Sequence, residues 1–549
     1  MESRSFLVRH AAAEDKMIIA RGTHVVSKRC AGDWQPGGIF FCPAGNIRER
    51  GVVCMERFGT KKHTEGPHPR KEPRLTQSLT VDGMADVFRD CVDFKKREVC
   101  VGDDPARRLT LCYLEGVVRN ERVSDYILRP IAQSEALARA GSDKLFALMR
   151  DGALYNLTAV ERTTTDQAAA DLIAGFCLIF FPGRREVLSF FVGTEEKRSV
   201  GEPENEPSVK GARDSFVETV RTNTAMVRRR LRAPELRIRE HIVGRQTLTP
   251  VDVLWMDGIA DPRVVDRVQQ RIAQMDIDGI QTTGNLEEYI VERLDTPFPL
   301  VSSTQRPDWF CGGLLQGLVG VLCEGQPMGW LMPGTFGQFF QTNQDKTANW
   351  IVATALRSLR WLCMFVTLLL PGLYVAVVTF QPEVIPVKLA LSIASAKREV
   401  PFSTVFEVLI MLISFEVLQE AGLRLPGPIG QTVSILGGLV VGSAAVEARI
   451  VSPAVLIAVA MAGIAGYTVP NQDLSGALRL WRFGLTILAS AAGLFGLVLG
   501  GGVLIRHLAG LESFGQPYLS VGAGALRRPL PLEKWREWVR LPRNRRNQR

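Results

Sequence analysis

Residues 249–275, TPVDVLWMDGIADPRVVDRVQQRIAQM, carry the reading that decides the fold. A short apolar run ends in an acidic residue and a glycine, Asp257-Gly258, and leads into a helix-like stretch. The pattern also occurs 142 residues upstream, where LTLCYLEGVV (109–118) ends in Glu115-Gly116 and leads into RNERVSDYILRPI. The same offset carries AGFCLIFFPG (174–183) onto QGLVGVLCEG (316–325), matching Gly175 with Gly317 and Gly183 with Gly325. Each of these continues across its glycine turn into a second apolar run, LSFFV or GWLMP. Each copy reads as strand, helix, linker and hairpin, so an internally duplicated α/β region is expected. Its first subdomain covers 81–200 and its second 237–345. The charged linker GEPENEPSVKGAR and a basic helix, 214–236, fill the interval 201–236. The acidic-Gly pairs end strands and turn the chain, a use that suits glycine at positive φ, or they touch a small molecule held between the subdomains. A stacked pair that only oligomerises is the other reading.

Beyond residue 350 the composition changes. Residues 351–510 hold 17 charged side chains in 160 positions, against 106 in the other 389. The first 350 residues therefore read as soluble and the next 160 as membrane. Five apolar stretches stand out: 361–380, 402–422, 429–446, 453–469 and 484–505. A spanning helix needs about 20 mostly apolar residues. The stretch 402–422 carries Glu407, Glu416 and Glu420, so it is expected to lie in the interface or insert partly, leaving about four spans in a transmembrane domain over 346–525. The tail 526–549 holds nine basic and two acidic residues, which keeps it on the cytoplasmic side, facing anionic lipid headgroups. With an N-terminal region made without a secretory signal, both ends lie inside and the number of spans is even. That tail also supplies seven of the nine net positive charges, so the basic balance does not indicate a nucleic-acid-binding domain.

Ionisable groups at membrane depth are costly and face a partner, a water cavity or an ion route. Glu416 and Glu420 share a helix face, Glu407 lies about half a turn round from them, and Glu447 follows the small residues GSAA. These four line a cation path, or they are structural pairs with Arg424 or Arg449. Gly438/Gly442 and Gly496/Gly500 are four apart, as in close helix contacts within lipid.

The chain has no Walker-type phosphate loop, no His-Glu-x-x-His and no Gly-x-Ser-x-Gly, so an enzyme is not expected and no cofactor is implied. Cys30, Cys42 and Cys54 lie near His24, His63 and His68 in a Gly- and Pro-rich segment, but without the Cys-x-x-Cys pair that most structural zinc sites use. An irregular segment over 1–80 is preferred to a metal site.

Long colinear motifs then become recognisable: HIVGRQTLTPVDVLWMDGIADPRVVDRVQQRIAQMDIDGI, DTPFPLVSSTQRPD, PGTFGQFFQ, LLLPGLYVAVVTFQPEVIP, PFSTVFEVLIMLISFEVLQEAGLRLPGPIGQ, VGSAAVEARIVSPA and HLAGLESFGQPYLS. Over about 85–525 the chain resembles the GerA family of spore germination proteins, as an A-type receptor subunit or the related stage V sporulation protein AF. Gln305, Lys397, Gln419 and Gln516 depart from the residues usual there. The resemblance marks Pro299, Thr304, Arg306, Pro307, Asp308, Pro371, Pro401, Gly422, Arg424, Pro426, Gly515, Pro517 and Tyr518 as motif residues of structural importance. It implies a place in the spore inner membrane, a multi-pass B-type subunit and a C-type lipoprotein as partners, and self-association into a nutrient-gated cation channel. A scaffold without conductance and a transporter-like protein with a metabolite-binding soluble domain are the alternatives.

Overall fold

The computed structural model describes residues 75–102, 104–154, 159–193, 206, 211–424 and 440–519, with an antiparallel pair of short strands, β1 (Met17–Ile19) and β2 (Val25–Ser27). The chain divides into two compact units, Met1–Glu72 and Pro73–Arg549. The β1–β2 pair belongs to the first; all that follows concerns the second. The cysteines and histidines weighed as metal ligands, most of the 201–213 linker, Pro426, Gly438 and the basic tail lie outside the described residues.

The soluble part holds two five-stranded sheets. The first comprises β3 (Phe94–Val101), β4 (Asp104–Leu114), β5 (Ala159–Arg162), β6 (Phe176–Phe180) and β7 (Val187–Phe191), in the order β3-β4-β6-β7-β5. The second comprises β8 (Leu236–Val243), β9 (Thr249–Met256), β10 (Ser302–Thr304), β11 (Val319–Cys323) and β12 (Gly329–Met332), in the order β8-β9-β11-β12-β10. All pairings within the two sheets are antiparallel, and the second sheet repeats the first strand for strand. The matched glycines adopt matched conformations: φ is +95° at Gly175 and +94° at Gly317. At both, an added Cβ would meet neighbouring backbone, Gly193 Cα at 3.1 Å and Ile259 O at 3.0 Å.

Both faces of each sheet are covered, which is why the strand sequences read as continuous apolar runs. Leu109, Leu111 and Tyr113 of β4 pack with Ile127, Ile131 and Met149 on one side, while Cys112 and Leu114 pack with Leu172 on the other. Val251, Val253 and Trp255 of β9 divide from Leu254 and Met256 in the same way. The helices that cover them include α1 (Thr165–Ala174), α2 (Val220–Arg230), α3 (Pro262–Ala273) and α4 (Pro307–Leu314). The basic helix expected over 214–236 is the shorter α2, because residue 236 already begins β8.

The two sheets are tied together rather than parted by an open cleft. Residues 90–92 extend the second sheet beyond β8: Val92 N donates to Ile238 O (2.9 Å) and Ile238 N to Asp90 O (3.1 Å). Next to this bridge Arg228 of α2 and Asp93 form a bidentate pair at 3.0 Å, both fully or nearly fully buried, and Arg228 also donates to Leu236 O. Deeper under α2, Asp252 of β9 is fully buried with Arg221 at 3.2 Å, and its Oδ1 has no partner. Burial pushes the Asp252 carboxyl up to about 7, against the pull of Arg221.

The helical part comprises α5 (Trp350–Phe380), α6 (Val387–Lys397), α7 (Thr404–Arg424), residues 440–447, α8 (Pro453–Gly466) and α9 (Gln472–Ala509). By length and composition, α5 and α9 are the two described helices long and apolar enough to cross a membrane. The 31 residues of α5 make about 46 Å at 1.5 Å per residue.

The apolar stretch 484–505, expected as one span, does not form a straight helix. At Ala492 (φ −134°) and Gly493 (φ +63°, ψ −142°) the backbone leaves helical geometry. Trp481 and His507 would stand about 39 Å apart along a straight helix, yet their ring centroids are 5.8 Å apart. An added Cβ on Gly500 would meet Leu485 Cδ2 at 2.6 Å. Thus α9 is a helical hairpin whose tip lies against Phe380, the far end of α5. The segment 453–469 is likewise shorter than expected, since α8 stops at Gly466.

Candidate functional site at the junction of sheets and long helices

The motif residues 304–308 lie where the second sheet meets the helical part. Pro307 occupies the first turn of α4, where its missing N–H costs nothing, and it keeps Arg306 extended. The buried Arg306 guanidinium grips Asp308 with two hydrogen bonds (3.1 and 2.9 Å) and donates to the carbonyls of Glu206 and Ala212. Thr304 donates to the Glu206 carboxylate at 2.8 Å and accepts from Arg306 N. This motif therefore clasps the linker between the two subdomains. Burial pushes the Glu206 carboxyl up. Burial also acts to raise Asp308, but Arg306 and Asn343 outweigh it and hold that carboxyl below its usual range.

Asp308 passes the connection on. Its Oδ2 accepts from Asn343 Nδ2 at 2.7 Å. Asn343 opens a short turn closed by a capping box between Thr342 and Asp345. Asp345, 1% exposed, accepts from Arg357 Nε (3.1 Å) and from both terminal nitrogens of Arg360 (2.7 and 3.0 Å). Burial acts to raise the Asp345 carboxyl; Arg360, the Thr342 N–H and Arg357 reverse it and hold it low. Arg357 and Arg360 belong to the first turns of α5, so polar contacts joined through the 342–345 turn lead from the subdomain linker to the long helix.

The C-terminal motif docks beside it. Strands β13 (Glu512–Ser513) and β14 (Gln516–Pro517) form a hairpin turned by Phe514 (φ 49°) and Gly515 (φ 74°). Ser513 Oγ donates to Leu300 O at 2.7 Å and accepts from Gly334 N. Phe336 N donates to Tyr518 O at 2.9 Å. The Tyr518 ring is fully buried among Phe298, Phe336 and Phe339, and burial pushes its hydroxyl well up. His507, in the last turn of α9, meets Thr296 at 3.0 Å. Both ends of the α9 hairpin and the start of α5 are thus held by the second sheet subdomain.

The other motif residues are dispersed. Pro299 is half-buried beside Phe298 in this junction. Pro371 is buried inside α5 next to Gly372, which faces Leu497 of the returning α9 arm. Pro401 is exposed before α7; Gly422 and Arg424 end that helix. Pro517 is exposed and Gly515 sits over Arg267.

The four membrane carboxylates are not brought together. Glu407 is fully buried, accepts from Ser452 N at 2.8 Å at the start of α8, and its Oε1 has no partner among the described residues. Glu416 pairs with Arg479 (2.6 Å) and Arg482 (3.5 Å) of α9. Glu420 and Glu447 are exposed. Arg449, weighed as a structural partner, instead faces Glu399 at 3.3 Å. Sequence reasoning missed Asp345 and the arginines that meet these carboxylates. The available signal was the i, i+3 spacing of Arg357/Arg360 and Arg479/Arg482 inside otherwise apolar helices, where a charge requires a partner.

The chain is also similar in sequence to known proteins. Residues 82–549 match the family model described as Bacillus/Clostridium GerA spore germination protein. An uncharacterized membrane protein of Bacillus subtilis, YfkQ, is 39% identical over 452 residues, covering 82% of this chain and 86% of that one. Spore germination protein KA of the same organism is 37% identical over 424 residues, 77% of each chain. A crystal structure of the N-terminal domain of the A subunit of the Bacillus megaterium spore germinant receptor GerK3 aligns over 47% of this chain and 97% of that one, at 25% identity and a TM-score of 0.38. A duplicated pair of sheets clasped to long apolar helices by the 304–308 and 512–518 motifs, within a match running from residue 82 to the last residue, places the chain in the GerA family of spore germination proteins.

Proposed function

We propose that this protein is a non-enzymatic subunit of a nutrient receptor in the spore inner membrane, in which the soluble sheets control the helical part through the junction. The observation that carries this is the polar chain from Arg306 and Asp308 through Asn343 to Asp345 and the arginines of α5. Spores carrying Asp345→Asn should lose nutrient-triggered germination while retaining the protein at normal abundance. Wild-type germination in that variant overturns the coupling.

The finer proposal is that copies of the chain assemble into a cation channel alongside a multi-pass B-type subunit and a C-type lipoprotein subunit. Glu407, Glu416, Glu420 and Glu447 are its candidate ion-path carboxylates. Glu416 meets two arginines and Glu407 is buried with the Ser452 N–H as donor, while Glu420 and Glu447 lie exposed. Cation flux in vesicles measured with each replaced by Gln tests this; unchanged flux in all four sinks it. The cavity beside α4, lined by Ser302, Trp309, Leu318, Leu331 and Gln338, has a volume of about 20 Å³, room for about one water molecule and too small for a metabolite.

The proposed count is about four spans plus one interfacial or partly inserted helix; among the described helices, α5 and α9 are long and apolar enough to cross. From the junction, α5 leads outward, α7 and α8 both lead back, and the two arms of α9 go out and return. An even number of passes keeps both ends on the cytoplasmic side, with the basic tail against anionic headgroups.

A further inference from the structure

The charge cluster between α7 and the first arm of α9 is unbalanced. Arg479 and Arg482 share one carboxylate, Glu416, through a contact of 2.6 Å and a longer one of 3.5 Å. Each guanidinium carries five N–H donors in a fixed fork. The Nε atoms of both arginines are buried and have no acceptor among the described residues. Arg482 is almost wholly enclosed, whereas the Arg479 and Glu416 side chains remain 22% and 35% exposed, so the cluster is open on one side. Among the described residues, two cations thus face one anion in a helical region apolar over most of its surface, an imbalance that is costly away from water.

The position of the cluster indicates what completes it. Arg479 and Arg482 flank Trp481, whose ring meets His507 near the junction with the soluble part. A Trp ring at that level marks the polar boundary of a bilayer rather than its middle. An oxyanion with several acceptor atoms on tetrahedral geometry, entering on the open side beside Arg479, suits two adjacent guanidinium forks that share one carboxylate.

We propose that Arg479 and Arg482 form a phosphate-oxyanion site at the junction-side boundary of the membrane, occupied by the headgroup of an anionic phospholipid, with Glu416 as an internal competitor for the same donors. The inference rests on the reading of the helical part as membrane-embedded.

The test uses the full chain purified in detergent. Its melting temperature is followed as phosphatidylglycerol, phosphatidylcholine or inorganic phosphate is added, and native mass spectrometry counts retained phospholipid. The basic tail also attracts anionic lipid, so the readout is the difference between variant and wild type. Arg479→Gln should lose most of the phosphatidylglycerol-dependent rise and a retained lipid. Glu416→Gln, which frees the donors, should keep or enlarge both. Arg482→Gln should behave as Arg479→Gln if it folds, and the other two variants decide the matter if it does not. A rise with phosphatidylglycerol alone identifies the headgroup; an equal rise with inorganic phosphate identifies free phosphate in the same oxyanion site. Identical responses in Arg479→Gln and wild type, or loss of the rise in Glu416→Gln, overturn the proposal. Recovery of the protein in solution without detergent would instead sink the membrane reading on which it rests.

Discussion

Asp252 and the Arg228–Asp93 pair show how differently two buried charges behave in one fold. Arg228 and Asp93 satisfy each other with two bonds, so removing one member strands the other. Arg228→Gln should cost about 3–5 kcal/mol, whereas Arg245→Gln, which pairs with Asp276 on the exposed surface, should cost less than about 1 kcal/mol. Denaturation midpoints of the two variants decide this, and equal losses would refute it. Asp252 has Arg221 on one oxygen only, and burial pushes its carboxyl up to about 7. Its folded value lies above its unfolded one, so the folded state binds the extra proton. Stability from this group is greatest below the ordinary carboxylate range and declines as pH rises toward 7. Melting temperature should therefore fall between pH 5 and pH 7 in wild type, and the contribution to that slope should vanish in Asp252→Asn. An unchanged slope would mean that other groups carry it.

At the scale of elements, the duplication was readable because its marks are local. Gly175 and Gly317, or Gly183 and Gly325, need the same backbone conformation and so leave the same residue at the same spacing. Strands β3 and β8 were not legible: FKKREVCV and LRIREHIV interleave charges with apolar residues and resemble helix or linker until the pairing with β4 and β9 is known. The partnerships at the junction were hidden for another reason. Asp308, Asn343 and Asp345 become a connection only through contacts set by tertiary packing, although each motif could be seen separately. The kink in α9 was also hidden, because Gly493 is one small residue among many in SAAGLFGLVLGGG. Its conformation still makes a prediction. Gly493→Ala places a side chain at positive φ with Phe380 Cβ about 3.1 Å away, and should destabilise the protein by about 1–3 kcal/mol. Gly484, in the same arm with open space around it, should accept Ala with little or no loss. The difference in melting temperature between the two alanine variants measures the demand of the turn; equal effects would refute it.

For the whole molecule, the hairpin in α9 changes how the polypeptide relates to the membrane. A straight 38-residue helix would carry Gln472 and Ala509 to opposite faces of a bilayer. The hairpin returns both to the junction, where His507 meets Thr296 and Arg293 donates to Gly510 O, and sends Ala491 to the other face beside the end of α5. Single cysteines at the exposed positions Gln472, Ala491 and Ala509, introduced into a cysteine-free background, distinguish these arrangements. A membrane-impermeant thiol reagent applied to one side of sealed vesicles should label either Ala491→Cys alone or Gln472→Cys and Ala509→Cys together, according to orientation. Labelling of Gln472→Cys and Ala509→Cys from opposite sides would make α9 a single crossing and return the even count to a different set of helices. The labelling pattern also bears on coupling. If both feet of the hairpin and the start of α5 stand on one face, a movement of the second sheet subdomain reaches all three at once through Asp345 and the Tyr518 cluster. A soluble domain joined to a single helix end would lack that leverage.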